Sequence, residues 1–332
     1  MPELRYNIVT ADWVVVAPER SHIAHARGAE AAPSVAPFVA GCPFCPGNEH
    51  DTETETARYS ENGAWALRAV LNRFPALSPS GPPERLGSGY TRSLTGVGQH
   101  EVVIEARAHD ARLGDLPECH LTALLRLYRE RMAAFYTDPH IEHVIVFKNH
   151  GATAGSSLDH PHSQIVGTPV MPGQVRHRLE VALRRYSDYG ECMFCYVLRQ
   201  ELEARLRIVE ENESFVAFVP YAALSPYHLW IFPKRHRAYF GVIDDADTAA
   251  LARLLKRTLA RLSGALGAPH YNFVIRSLSP PEAEVKYFHW YMSLIVRGAR
   301  LAGFELGTGM FINTALPEES ARVLRAIELG DP

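Results

Sequence analysis

The stretches "LNRFPALSP" (71–79) and "FVPYAALSP" (218–226) share the tetrapeptide Ala-Leu-Ser-Pro, and each is succeeded by the same series of patterns. After the first come "HEVVIEARAHDARLGDLPE" (100–118), the helical pattern "LTALLRLYRERMAAFY" (121–136), "EHVIVFKNHG" (142–151) and "SSLDHPHSQIVG" (156–167). After the second come "YHLWIFPKRHRAYFGVIDD" (227–245), "TAALARLLKRTLARL" (248–262), "YNFVIRS" (271–277) and "VKYFHWYMSLIV" (285–296). A C-x-x-C pair precedes each series, Cys42/Cys45 in "GCPFCPGNE" and Cys192/Cys195 in "ECMFCYV". His109 and His160 are 51 residues apart, and His236 and His289 are 53 apart. The strand patterns are apolar runs, and apolar residues recur at three-and-four spacing in the helical ones. The fold class is therefore α+β, with a unit of about 150 residues duplicated, too long a period for a solenoid. We divide the chain into residues 1–170 and 171–332, each expected to form an antiparallel sheet with packed helices. The join is "TPVMPGQ" (168–174) and a helical stretch at 176–190, and Pro/Gly-rich segments at 79–89 and 278–284 read as surface loops.

The formal charge of −3 provides no electrostatic footprint for nucleic acid. No apolar run reaches the length of about 18 residues that argues for a membrane span. The first residues lack a basic segment leading into an apolar one, so no signal peptide is expected and the cytoplasm is the expected compartment. In a reducing compartment, C-x-x-C pairs are read first as metal ligands or redox centres.

The duplication assigns ligands. The first set is Cys42, Cys45, His109 and His160; the second is Cys192, Cys195, His236 and His289. Two thiolates and two imidazoles complete a tetrahedral zinc shell, which leaves no position for water or substrate. Both ions are thus expected to be structural. In the second set, His228 competes with His236: eight residues apart, they share a face of the strand pattern, and only the repeat favours His236.

His160, His162 and Gln164 stand at i, i+2 and i+4, on one face of a strand. If His160 binds zinc, His162 is free, and Tyr291 takes its place in the second unit. The preceding "NHGATAGSS" (149–157) is rich in small residues whose backbone N–H groups can approach an anion. Neutral imidazole beside such a loop can attack phosphorus near pH 7. A surface histidine is the plain alternative.

"GSSLDHPHSQ", "CPFC" and "LNRFPAL" together resemble the galactose-1-phosphate uridylyltransferase branch of the histidine triad superfamily, along nearly the whole chain. The resemblance implies two tandem histidine-triad-like units, the second degenerate. It implies that His162 takes a nucleoside monophosphate from a nucleotide sugar and that Gln164 donates a hydrogen bond to the phosphoryl group. Asn72, Phe74, Asn149, Gly155 and Ser157 match nucleotide-contacting positions. Relatives with a third histidine at the position of Gln164 are hydrolases; glutamine cannot titrate, which favours transfer to a phosphate-bearing acceptor. Gly303, Phe304 and Glu305 match a G-Y-E segment with Phe for Tyr. The continuation "GTGMFINTALPEE" looks more like the ADP-glucose phosphorylases, where inorganic phosphate is the acceptor, and Gly307 and Gly309 could offer it backbone donors. The expected reaction is nucleotidyl transfer to a hexose 1-phosphate, with phosphorolysis as the alternative, and the expected assembly is a homodimer. A zinc hydrolase of the H-E-x-x-H type is excluded by the absence of that motif. A decayed binding module is disfavoured by the presence of His162.

Overall fold

The computed structural model describes residues 1–21, 35–79, 81–298 and 302–330. Position 80 of the expected loop and positions 299–301 of the C-terminal stretch lie outside the described residues. The chain opens with a hairpin, β1 (Glu3–Asn7) and β2 (Asp12–Val16). Next come β3 (Glu55–Glu61), β4 (Ala64–Leu71), a small hairpin of β5 (Arg85–Leu86) and β6 (Ser93–Leu94), and β7 (Gln99–Ile104). Helix α1 (Glu118–Phe135), β8 (His143–His150) and β9 (His162–Thr168) complete the first half. The second half runs α2 (Gly173–Tyr189), α3 (Met193–Ala204), β10 (Ile208–Glu211), β11 (Phe215–Phe218), β12 (Leu229–Pro233), α4 (Asp245–Leu266), β13 (Tyr271–Arg276) and β14 (Tyr291–Val296). It closes with α5 (Gly303–Thr308), β15 (Phe311–Asn313) and α6 (Pro317–Arg325). Among the described residues, no helix is long and apolar enough to cross a membrane.

Ten strands form a single antiparallel sheet in the order β10-β11-β12-β14-β13-β8-β9-β7-β4-β3. Outward from the central pair β13/β8, the two halves repeat the same order. Their register agrees as well. Gln164 faces Phe147; Ser293, four residues after His289 as Gln164 is four after His160, faces Val274. Phe147 and Val274 face each other across the seam, so a local two-fold passes through that pair. Each unit alone would leave β8 or β13 with a row of unpaired backbone groups, and pairing the two removes both edges.

The helical patterns become α1 and α4, which lie together over one face of the sheet. Helix α1 buries Leu121, Leu124, Leu125, Tyr128, Met132 and Phe135, and α4 buries Leu251, Leu254, Leu255, Leu259 and Leu262. These are the three-and-four spacings of a core-facing stripe. Asp244 caps α4, its carboxylate accepting from the Asp247 N–H at 2.8 Å. The core beneath them is continuous, joining Leu67, Val103 and Ile165 of the first half to Ile231, Phe273 and Leu294 of the second. The two expected sheets are thus one sheet, and beneath the two helices the halves share a core.

On the other face the halves differ. Val70 faces Val102, which faces Gln164; the matching positions are Phe218 facing Trp230, which faces Ser293. Tyr291 stands where the first half has His162. The Phe218–Trp230, Trp230–Tyr291 and Phe232–Tyr291 ring centroids are 6.1, 5.2 and 5.1 Å apart. Aromatic rings therefore fill in the second half the volume that two valines and a histidine leave open in the first. Trp230→Val is expected to lower the free energy of unfolding by about 3 kcal/mol, the cost of an uncollapsed aromatic cavity, as measured by denaturant titration.

Candidate active site

Strand β9 begins at His162, so His160 and Pro161 precede it and the expected row of three on one strand face reduces to His162 and Gln164. The His162 side chain is buried. Its Nδ1–H donates to the His160 carbonyl at 2.8 Å, which leaves the Nε2 lone pair free. Burial pulls the imidazole below its ordinary pKa and favours the neutral, nucleophilic form. The Phe44 ring meets it edge-on, with centroids 5.6 Å apart.

Below the strand is a polar network that has no counterpart among the apolar residues at the matching positions of the second half. Lys148 of β8 donates to the His162 carbonyl at 3.1 Å and to the Glu105 carboxylate. Glu105 also accepts from the Tyr128 hydroxyl at 3.0 Å, and that hydroxyl lies 2.7 Å from Ser163 Oγ. Both charges are fully buried. An ion pair in this setting persists because hydrogen bonds occupy the remaining positions on each partner.

His162 lines two cavities. One, of about 370 Å³, is walled by Phe44, Asn72, Phe74, Ser157 and Gln164. The other, of about 480 Å³, is walled by Arg112, Lys148, Asn149, His150 and His270. Phe74 is 84% exposed, an aromatic face open to a stacking partner. Asn149 is held from the second half: Asn272 Nδ2 donates to its Oδ1 at 2.8 Å, leaving its own amide hydrogens for the cavity. Gly155 lines neither cavity; at φ +84° it closes the turn that leads to Ser157.

Two groups of residues stand differently from the sequence reading. Phe304, Glu305, Gly307 and Gly309 belong to α5 and its C-terminal end, exposed or half-buried beside the small sheet β1-β2-β15, and line neither His162 cavity. His100 of β7 is absent from the candidates that the motifs supply, yet its Nε2 is 2.8 Å from Gln164 Oε1 and 3.0 Å from Asn72 Nδ2. A signal for it exists: a histidine opens both "HEVVIE" and "HLWIFP", each of which follows an Ala-Leu-Ser-Pro.

Cys42, Cys45, His109 and His160 are buried and bring their ligand atoms within 4.8 Å of one another. The His109–His160 Nδ1 pair is 3.3 Å apart, and the sulfur-to-nitrogen distances are 3.5 to 3.7 Å. A tetrahedral ion with thiolate bonds of about 2.3 Å and imidazole bonds of about 2.0 Å has edges of about 3.3 and 3.5 Å, so the donor set fits. His160 Nε2–H donates to the Ala106 carbonyl at 2.8 Å, which fixes the tautomer and leaves Nδ1 for the metal.

In the second half Cys192, Cys195 and His236 meet the same 4.8 Å limit. His289 Nδ1 is 3.4 Å from Cys195 Sγ, and His236 Nε2–H donates to the Val285 carbonyl at 2.9 Å. His228 is elsewhere, 3.0 Å from Ser293 Oγ. Strand β12 ends at Pro233, so face parity does not reach His236; the repeat is the sound criterion. Both clusters could hold a metal ion.

Metal analysis is expected to find two ions per chain, falling to one in Cys42→Ser and to one in Cys195→Ser. Lys148→Met leaves the Glu105 carboxylate buried without its cation and is expected to cost about 3–5 kcal/mol of stability. Adding Glu105→Leu should recover part of that loss in denaturant titrations, because no buried charge then remains.

The model for the N-terminal domain of galactose-1-phosphate uridyl transferases matches residues 1–172, and that of a domain of unknown function matches 97–329. An ADP-glucose phosphorylase from Arabidopsis thaliana is 34% identical over 99% of this chain and 93% of its own. A galactose-1-phosphate uridylyltransferase from Thermotoga maritima is 29% identical over 99% of both chains. Among solved structures, an Arabidopsis ADP-glucose phosphorylase with bound ADP-glucose superposes with a TM-score of 0.84 at 32% identity, over 99% of this chain and 100% of that one. A uridylyltransferase superposes with a TM-score of 0.76 at 28% identity, over 98% of both. With the two C-x-x-C pairs, the H-P-H-x-Q stretch and the duplicated sheet, these likenesses identify the chain as a nucleotidyltransferase belonging to the galactose-1-phosphate uridylyltransferase family.

Proposed function

We propose that the protein moves a nucleoside monophosphate from a nucleotide sugar to a phosphate-bearing acceptor through a covalent intermediate on His162. The observation that carries this is the position of His162, whose free Nε2 belongs to a side chain shared by two cavities. One cavity, with Phe74 and Asn72, suits the nucleoside; the other, with Arg112 and Asn149, suits the sugar phosphate. In the first step Nε2 attacks the α-phosphorus, an N–P bond forms, and the P–O bond to the sugar phosphate breaks. In the second, a phosphate oxygen of the acceptor attacks that phosphorus and the imidazole leaves. Gln164 donates to the phosphoryl group, with Ser157 and the turn at Gly155 beside it. Both Cys/His clusters hold structural zinc, which anchors the His160 end of β9. Residues 1–170 supply the chemistry and 171–332 the degenerate partner unit.

The acceptor in this reading is a hexose 1-phosphate, supported by the uridylyltransferase relatives. The higher identity and TM-score of the ADP-glucose phosphorylase favour a second reading, in which inorganic phosphate collects the nucleotide. Because Phe304, Glu305, Gly307 and Gly309 lie apart from His162 in their own chain, a homodimer is the arrangement in which they serve a site. Clusters of reduced thiols suit the cytoplasm.

Incubation with labelled UDP- and ADP-sugars is expected to leave an acid-labile, base-stable nucleotide on the wild-type protein and none on His162→Asn. No adduct with either nucleotide, nor with GDP- or TDP-sugars, would sink the covalent mechanism. Chasing the adduct with phosphate or with a hexose 1-phosphate separates the two acceptors.

A further inference from the structure

Gln164 has a donor end and an acceptor end, and only the donor end can stabilise a phosphoryl oxygen. Something must hold the carboxamide the right way round, and the structure contains it. Nδ1 of His100 lies 3.0 Å from the backbone nitrogen of Ala76, which can only donate. Nδ1 is therefore the acceptor, the ring proton sits on Nε2, and Nε2–H donates to Gln164 Oε1 at 2.8 Å. The opposite tautomer would accept from Asn72 Nδ2, 3.0 Å from Nε2, but would set an N–H against the Ala76 N–H and a lone pair against the Gln164 oxygen, so two contacts against one keep the proton on Nε2. With Oε1 engaged, the Gln164 amide nitrogen has no protein partner among the described residues, and the side chain lines the cavity it shares with His162. His100 is itself buried, and burial holds it below its ordinary pKa, so the ring remains neutral.

Two backbone contacts join the His100 segment to the nucleoside side. The Asn72 N–H donates to the His100 carbonyl at 2.9 Å, and Asn72 Oδ1 accepts from the Phe74 N–H at 2.9 Å. The second half repeats the device: the Leu224 N–H donates to His228 Nδ1 at 3.1 Å, and His228 Nε2–H donates to Ser293 Oγ at 3.0 Å. Both turns contain the Ala-Leu-Ser-Pro tetrapeptide. Two copies with the same proton assignment argue that the tautomer is built into the turn; only the first half places a glutamine at its end.

We propose that His100 is a positioning residue for nucleotidyl transfer: its Nε2–H fixes the Gln164 carboxamide with the N–H₂ group directed at the phosphoryl oxygens. This rests on the reading of His162 as the nucleophile. The test is the single-turnover rate at which His162 is nucleotidylated by UDP- or ADP-glucose, whichever labels the wild type. His100→Leu should slow that step about ten- to hundredfold, the range for a misdirected transition-state donor. The KM for the donor should change by less than about threefold, because the Asn72 carboxamide keeps its Oδ1 bond to the Phe74 N–H when the His100 ring is removed. In a Gln164→Ala background the same substitution should cost nothing more, since there is no carboxamide left to orient. His100→Gln, whose amide can donate to the same oxygen, should recover most of the rate. Equal losses in both backgrounds, or an unchanged rate in His100→Leu, would overturn the proposal. Should the Leu variant fail to fold, ¹⁵N-histidine spectra of the wild type decide instead: a neutral Nε2–H ring is expected for His100, and Nδ1–H overturns the assignment. Absence of any adduct on the wild type is a different result, which removes the nucleophile rather than its positioning residue.

Discussion

The pairing of β8 with β13 about Phe147 and Val274 is the contact on which the molecule depends. It turns two five-strand units into one ten-strand sheet and places the residues C-terminal to Phe147 between the halves. Lys148, which holds the His162 carbonyl, faces Phe273 across that seam, and Asn149 faces Asn272, which orients it. The floor of the candidate site is thus made by both units, although His162 belongs to one. A half expressed alone would expose an edge strand and lose the neighbour of its buried ion pair.

Duplication also explains how the site can be open. A cavity beside a polar, buried histidine removes packing that the fold would otherwise use. The second unit keeps the same positions and fills them with Phe218, Trp230 and Tyr291, so its half of the sheet has the apolar contacts that Val70, Val102 and His162 forgo. What differs between the halves is side-chain volume at matched register positions; the backbone plan is shared. The Cys/His clusters follow the same plan, since His109 and His236 follow the equivalent strands β7 and β12.

Most of the architecture was legible because the repeat offered two readings of each element. The helical stripes, the ligand sets and the equivalence of His162 with Tyr291 came from comparing the halves, and register bears out that equivalence. The shared sheet was not legible, because no local pattern tells whether β8 pairs outward or remains an edge. His100 escapes a sequence reading for a related reason: its partner Gln164 is on another strand, and only pairing in space reveals that a histidine after Ala-Leu-Ser-Pro meets the Gln164 carboxamide. Strand lengths mislead as well, since β12 stops at Pro233 and β9 starts only at His162, leaving His236 and His160 on loops where parity has no meaning.

The relay from Ala76 through His100 to Gln164 also bears on why transfer should prevail over hydrolysis in the proposed reaction. Water attacking the covalent intermediate must lose a proton, whereas a phosphate oxygen arrives already anionic and needs no base. Gln164 cannot take a proton. His100, the titratable ring behind it, has Nδ1 occupied by the Ala76 N–H and Nε2 already protonated. Burial further opposes the charged form that a base would become. The group that orients the phosphoryl donor is in this way also prevented from acting as a base toward water. A histidine in place of Gln164 would restore a titratable group at that position, whereas the glutamine, held by a neutral ring of fixed tautomer, keeps the phosphoryl group polarised while leaving the choice of acceptor to the charge the acceptor brings.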